Sequence, residues 1–129
     1  MKLARYSLYF FALGFLTFGG LLLFAPTALT TLTEIALPTP VALMEVRGVY
    51  GGFFIGTALF LLLCARRESW LQPGLVALAV IMGGLLVGCT LGFILHGAGN
   101  PLIYLLYISE AAGLMIALAA LRSLSQSPA

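Results

Sequence analysis

The sequence predicts an all-α, integral membrane four-helix bundle with a short interfacial helix between spans 1 and 2, and three observations lead there. Apolar residues make up 62% of the chain and charged residues only 8%, whereas about 25% of a soluble domain is charged. Mean hydropathy is +1.15. Four apolar runs stand apart, each close to the roughly 20 residues that carry a helix across a hydrocarbon core about 30 Å thick, and the short stretches between them hold most of the prolines and charges. Four such spans and their connections use up the 129 residues. A single transmembrane domain over residues 1–129 is therefore expected, with spans at about 3–24, 41–65, 73–95 and 101–121.

Span 1 opens with Lys2 and Arg5, and its apolar run from Tyr6 to Phe24 exceeds the roughly 7 to 15 residues of a secretory signal core, so it reads as a retained span. Tyr6 and Tyr9 stand near its start, where aromatic rings favour the headgroup layer. Pro26 ends it. Ala28, Leu29, Leu32, Ile35 and Ala36 then recur at helical spacing among Thr27, Thr30, Thr31, Thr33 and Glu34, the pattern of an amphipathic helix lying in the interface. Pro38 and Pro40 redirect the chain into span 2. That span carries Glu45 and Arg47 in its first turns and finishes at Arg66-Arg67-Glu68, with Trp70 as an interfacial anchor. Pro73 suits the first turn of span 3, where a missing N–H costs nothing, and His96-Gly97-Ala98-Gly99 makes a tight connection. Asn100 and Pro101 read as the N-cap and first helical residue of span 4. The polar tail from Ser123 to Ala129 is expected to fray.

Orientation follows from the basic residues. Lys2, Arg5, Arg66, Arg67 and Arg122 fall at the helix ends on one side, and the other side holds Glu34, His96 and Arg47. The positive-inside rule then puts both termini in the cytoplasm. The net charge of +2 comes from groups too few and too scattered to make a nucleic-acid footprint. Cys64 and Cys89 are the two cysteines, and neither stands in a spacing that suggests redox or metal chemistry. His96 has no clustered Cys, Asp or second His to complete a coordination set, and Ser109 lacks a base with triad geometry. No metal, cofactor or enzymatic activity is expected.

The most distinctive stretch is Glu45 to Gly56, reading Glu-Val-Arg-Gly-Val-Tyr-Gly-Gly-Phe-Phe-Ile-Gly. Gly48, Gly52 and Gly56 recur every four residues on span 2, as do Gly84, Gly88 and Gly92 on span 3; small residues at that spacing let membrane helices approach closely. A close crossing of spans 2 and 3 is the expectation, with His96 at its open end. Glu45 and Arg47 are two residues apart, so they point in nearly opposite directions and each needs another partner; Arg47 can also snorkel to the headgroups. Glu110 lies about 14 Å beyond Pro101 on a helical count, close to the midplane. A carboxyl group at that depth must be protonated or paired with a cation, and Arg47 is the one basic side chain in reach. Tyr107 and Tyr104 add hydroxyls nearby, and Tyr50 stands one turn from Arg47.

The Glu45-x-Arg47 pair followed by Tyr50-Gly51-Gly52 and Gly56, together with Gly99-Asn100-Pro101 leading into a helix with Glu110 and Gly113, resembles the small bacterial membrane proteins of the domain-of-unknown-function 4345 family. The resemblance covers most of the chain. It implies a four-helix protein of the bacterial inner membrane and lends no mechanism. A first functional reading is favoured, with a second as its alternative. In the first, the chain is a non-enzymatic accessory or interaction subunit, in a membrane complex or a homo-oligomer, held together by glycine packing and a buried Glu/Arg cluster. In the second, Glu45, Arg47, Tyr50, His96, Tyr107 and Glu110 bound an outward-facing pocket for a small amphiphilic molecule. A proton-coupled transporter using Glu110 is a weaker variant, because four helices do not readily enclose an alternating-access path.

Overall fold

The structure, a computed structural model, describes residues 1–126, and among these every regular element is helical. Span 1 is Lys2–Phe24, span 2 Pro40–Arg66, span 3 Leu71–His96 and span 4 Pro101–Ser125. All four are long and apolar enough to cross a membrane. Span 4 runs past the expected Leu121, so Ser123 to Ser125 are helical rather than frayed; Ser127 to Ala129 lie outside the described residues.

Local chemistry sets the helix starts. The Ala42 N–H donates to the Thr39 hydroxyl at 3.2 Å, and Pro40 fills the first helical position of span 2, where its lack of an N–H is harmless. The same device opens span 4, where the Ile103 N–H donates to Asn100 Oδ1 at 2.9 Å ahead of Pro101. A 3-10 turn, Glu68–Trp70, leads into span 3, and the Arg67 guanidinium lies 5.0 Å from the Trp70 ring centre. The helix after span 1 is shorter than its apolar pattern suggests, Ala28–Thr33. It stops because Glu34 takes a left-handed conformation, φ 63°, which a residue with a Cβ adopts at a cost of about 1 kcal/mol.

Span 2 is not one regular helix. Val46–Gly52 forms a π-helical segment between two α-helical stretches, and such wide turns are rare enough to mark a position where helical register is deliberately shifted. Each i→i+5 bond spans one more residue than the α-helical bond, so side chains beyond it are rotated relative to an α-helical count. Gly51 as a result faces span 1. A Cβ there would come within 2.9 Å of the Leu23 backbone nitrogen, and a Cβ on Gly19 would meet the Ile55 nitrogen at 2.9 Å.

Span 2 therefore makes its backbone-to-backbone approach to span 1, and meets span 3 closely only at the terminal end, where Gly74 stands against Cys64. Spans 1 and 2 pack along their length, spans 3 and 4 form a second pair, span 1 also touches span 4, and spans 2 and 3 meet lightly. The expected seam is corrected accordingly. Nothing lies within 4 Å of a Cβ placed on Gly48, Gly56, Gly84, Gly88 or Gly92, and Gly52 would meet only the Arg47 carbonyl of its own helix. Other glycines pressed by neighbours are Gly74 against Cys64, Gly99 against Ile103 and Phe93, and Gly113 against Met82 and Phe11.

The four helices share a core only in the half of the bundle that carries the termini. Ala4, Leu8 and Ala12 of span 1, Leu61, Cys64 and Ala65 of span 2, Leu71, Leu75, Leu78 and Met82 of span 3, and Ala117 and Ala120 of span 4 are buried together. In the opposite, distal half a second cluster of Leu22, Leu29 and Val46 joins span 1, the short helix and span 2 alone. Beyond Met82 and Gly113 no residue of spans 3 or 4 is fully buried. Beyond that level no fully buried residue of spans 3 or 4 joins the two helix pairs, although the short helix still touches span 4.

Candidate functional site

The polar groups that face one another within the membrane-spanning region lie along the contact of spans 3 and 4. Phe93 is central to it. Its ring stacks on Tyr104 with centroids 5.2 Å apart and meets Tyr107 edge-on at 5.2 Å, geometries that add to the ordinary gain from burying aromatic area. The Tyr107 and Thr90 hydroxyls are hydrogen-bonded across the pair at 3.0 Å, and Thr90 also donates to the Leu86 carbonyl at 2.7 Å. Thr90 thus returns one hydrogen to its own helix and accepts from Tyr107, which leaves neither hydroxyl bare in an apolar layer.

One turn further into the membrane, the Cys89 thiol of span 3 neighbours the Glu110 carboxyl group. Glu110 is half-buried. Its Oε2 is enclosed and has no hydrogen-bond partner among the described residues. Three residues on stands Gly113, the point at which span 4 presses on Met82 and Phe11. Glu110 therefore sits at the level where the shared four-helix core ends.

Toward the distal end the polar line continues to the surface. The Gly99 N–H donates to the Tyr104 hydroxyl at 3.3 Å, and the Asn100 amide donates to Glu34 Oε1 at 3.2 Å. This last bond links the connection between spans 3 and 4 to the segment between spans 1 and 2. The left-handed backbone of Glu34 ends the short helix at the residue whose carboxylate Asn100 reaches.

Of the side chains singled out in the sequence, the structure brings Tyr107 and Glu110 onto the same helix contact and leaves the other four outside it. Glu45, Arg47, Tyr50 and His96 are exposed. No part of span 2 touches span 4, so the expected approach of Arg47 to Glu110 does not occur, and among the described residues Arg47 makes no ion pair within the chain. The reason is the pairing of helices: span 1 stands between spans 2 and 4. Cys89, Thr90, Phe93 and Tyr104 belong to the arrangement and were not legible as members of it. The available signal was that Cys89, Thr90 and Phe93 recur at helical spacing in the distal half of an otherwise apolar span, which is the face one helix would offer another.

A shallow apolar groove of about 340 Å³ lies elsewhere, between spans 2 and 3, lined by Phe53, Gly56, Thr57, Phe60 and Ile81. It marks the light contact of these two helices and holds no charged side chain.

These features define a small multi-pass helical membrane protein with one set of interacting polar groups between spans 3 and 4. A family model described as "Domain of unknown function (DUF4345)" matches residues 3–121, and the chain belongs to that family. No curated protein and no solved structure matches it.

Proposed function

We propose that this is a non-catalytic membrane protein that binds a small amphiphilic molecule between its two helix pairs, with Glu110 and Tyr107 at the inner limit of the site. The observation that carries this reading is the division of the bundle beyond Met82 and Gly113, where spans 3 and 4 contribute no fully buried residue while spans 1 and 2 remain joined by Leu22, Leu29 and Val46. A molecule with an apolar body and a polar head would cover the open helix faces on the distal side of Glu110. The one basic side chain expected to serve Glu110 from within the chain, Arg47, is on a helix that does not touch span 4, which weakens the reading of a bundle locked by an internal Glu/Arg cluster.

The test is to purify the protein in mild detergent, denature it and identify the released small molecules by mass spectrometry. One amphiphile enriched in near-stoichiometric amount over a mock purification from the same membranes is the expected result. Recovery of bulk lipid in its ordinary proportions would reject the reading.

An interaction-subunit role has its own support. Gly84, Gly88 and Gly92 form an open row, and spans 3 and 4 bury 11% of their most apolar stretches against 33% for spans 1 and 2. A partner helix, from another protein or a second copy, can lie on such a row at backbone distance. Bifunctional crosslinking from a cysteine placed at Gly88 tests it, and labelling by lipid-soluble reagents without any crosslinked product would count against it.

For orientation we infer that both termini and the Arg66-Arg67 turn face the cytoplasm of a bacterium, with the chain in its inner membrane. Lys2, Arg5, Arg66, Arg67 and Arg122 all belong to the end of the bundle that carries the termini, and basic residues are retained on the cytoplasmic side.

A further inference from the structure

We infer that the terminal end of spans 1 and 2 holds the phosphate of an anionic phospholipid between Arg5 and Arg66, with the acyl chains lying along the outer edge of the two helices. The antiparallel register of these spans is fixed at two levels: Gly19 meets Phe54 and Ile55, and Leu8 meets Cys64 over Gly74. One turn further toward the termini, the same register brings Arg5 level with the end of span 2 at Arg66 and Arg67. The faces agree as well as the levels. Arg5 precedes Leu23 by about five full turns, so it lies on the face that Leu23 turns to Gly51. Arg66 follows Ile55 by about three turns, on the face of span 2 that meets Gly19.

The Arg5 side chain is half-buried in a particular way. Its Nε is enclosed without a hydrogen-bond partner, while its two terminal nitrogens are neither enclosed nor bonded within the chain among the described residues. Enclosing Nε pins the guanidinium plane, and the accessible nitrogens carry the four other N–H groups of the five, in the fork that fits a phosphate. Lys2, Arg66 and Arg67 gather at the same end, with Glu68 as the neighbouring acidic residue. Among the described residues no ion pair neutralises any of these bases. Arg67 lies over the Trp70 ring at 5.0 Å, and tryptophan favours the headgroup layer, which sets the basic group at the depth of lipid phosphates. Tyr9 and Leu16 continue the edge below Arg5, and Leu59 continues it below Arg66; all three are exposed. An apolar strip thus runs from the charges into the hydrocarbon, which a lipid covers and a soluble anion leaves bare. Basic pockets between membrane helices take anionic headgroups by this combination. The site is at the other end of the bundle from the amphiphile site proposed above and stands independently of it.

The probes are phosphatidylglycerol and phosphatidylcholine with the same acyl chains, titrated onto the delipidated full chain in mild detergent, with adducts counted by native mass spectrometry. Phosphatidylglycerol is expected to bind saturably and phosphatidylcholine more weakly. Arg5→Gln and Arg66→Gln are each expected to lower phosphatidylglycerol affinity by about fivefold, the worth of one basic residue near an anionic lipid surface. Arg47→Gln, at the distal end, is expected to leave it unchanged, and inorganic phosphate in large excess is expected not to displace the lipid. Equal binding of the two lipids overturns the proposal. So does a loss in Arg47→Gln as large as that in Arg5→Gln, which would reduce the effect to net charge. Displacement by inorganic phosphate would make a soluble anion the occupant and reject the lipid. Should Arg5→Gln not fold, Arg66→Gln, whose side chain is exposed, decides in its place, and unchanged affinity there rejects the site.

Discussion

Gly19 and Gly51 face each other across the crossing of spans 1 and 2, so closely that a Cβ on Gly19 would stand 3.1 Å from the Gly51 carbonyl oxygen. The contact exists because the π segment turns Gly51 toward span 1. It brings two backbones together without intervening side chains, the arrangement through which small residues strengthen helix association in lipid.

Gly51→Ala is expected to destabilise the protein by about 1 to 3 kcal/mol, the usual range for overpacking a well-fitted site. The added methyl would press on the Leu23 backbone at 2.9 and 3.0 Å, which cannot swing aside as a side chain can. Gly56→Ala and Gly88→Ala, placed in open space, are expected to change stability by no more than about 0.5 kcal/mol. Thermal midpoints in detergent measure all three, and equal midpoints for Gly51→Ala and the wild type would reject the close crossing.

Glu110 and Arg47 are expected to behave independently in the isolated chain. No contact joins their helices, and sites without shared partners add to within about 0.3 to 0.5 kcal/mol. Stabilities of Glu110→Gln, Arg47→Met and the double variant form the cycle. A coupling above about 1 kcal/mol would mean that the two helix pairs close on each other in solution.

Thr90 and Tyr107 are expected to be coupled, because their hydroxyls meet at 3.0 Å between spans 3 and 4. Interhelical hydrogen bonds in membranes average about 0.6 kcal/mol by the same kind of cycle. Thr90→Val with Tyr107→Phe, singly and together, should return a value of that order, and strict additivity would place the two side chains apart.

Cys89 is expected to react with a lipid-soluble maleimide well before Cys64. Cys64 is wholly buried among the helices, next to Gly74, while Cys89 is only partly covered. Timed labelling followed by mass spectrometry distinguishes them, and faster labelling of Cys64 would contradict the shared core of the terminal half. The two cysteines are also expected never to form an intrachain disulfide. Cys64 packs at the start of span 3, beside Gly74, and Cys89 lies about 22 Å further along that helix, far beyond the roughly 7 Å that a disulfide spans.

A reporter that is active only outside the cytoplasm, fused after Ala129, is expected to stay silent, since the basic residues gather at the end of the bundle that carries the termini. Activity there would invert the proposed topology.

The sequence by itself determined the number of spans, their approximate limits, the N-cap at Asn100 and the placement of the basic residues, because these depend on local quantities: apolar length against bilayer thickness, proline's missing N–H, a cap side chain three residues from its donor. It also singled out Glu110 by depth alone. Which helices pair was a tertiary matter. Gly48, Gly52 and Gly56 recur at α-helical spacing, yet the π segment rotates that face, and Gly51 meets span 1 instead. Lipid tails are as apolar as the side chains between helices, so periodic apolarity does not say which face of a membrane helix is inside. For the same reason the partners of Glu110 could not be read in advance: Cys89 and the ring of Phe93 reach its neighbourhood only because spans 3 and 4 pack together, and Arg47 is kept away because span 1 stands between.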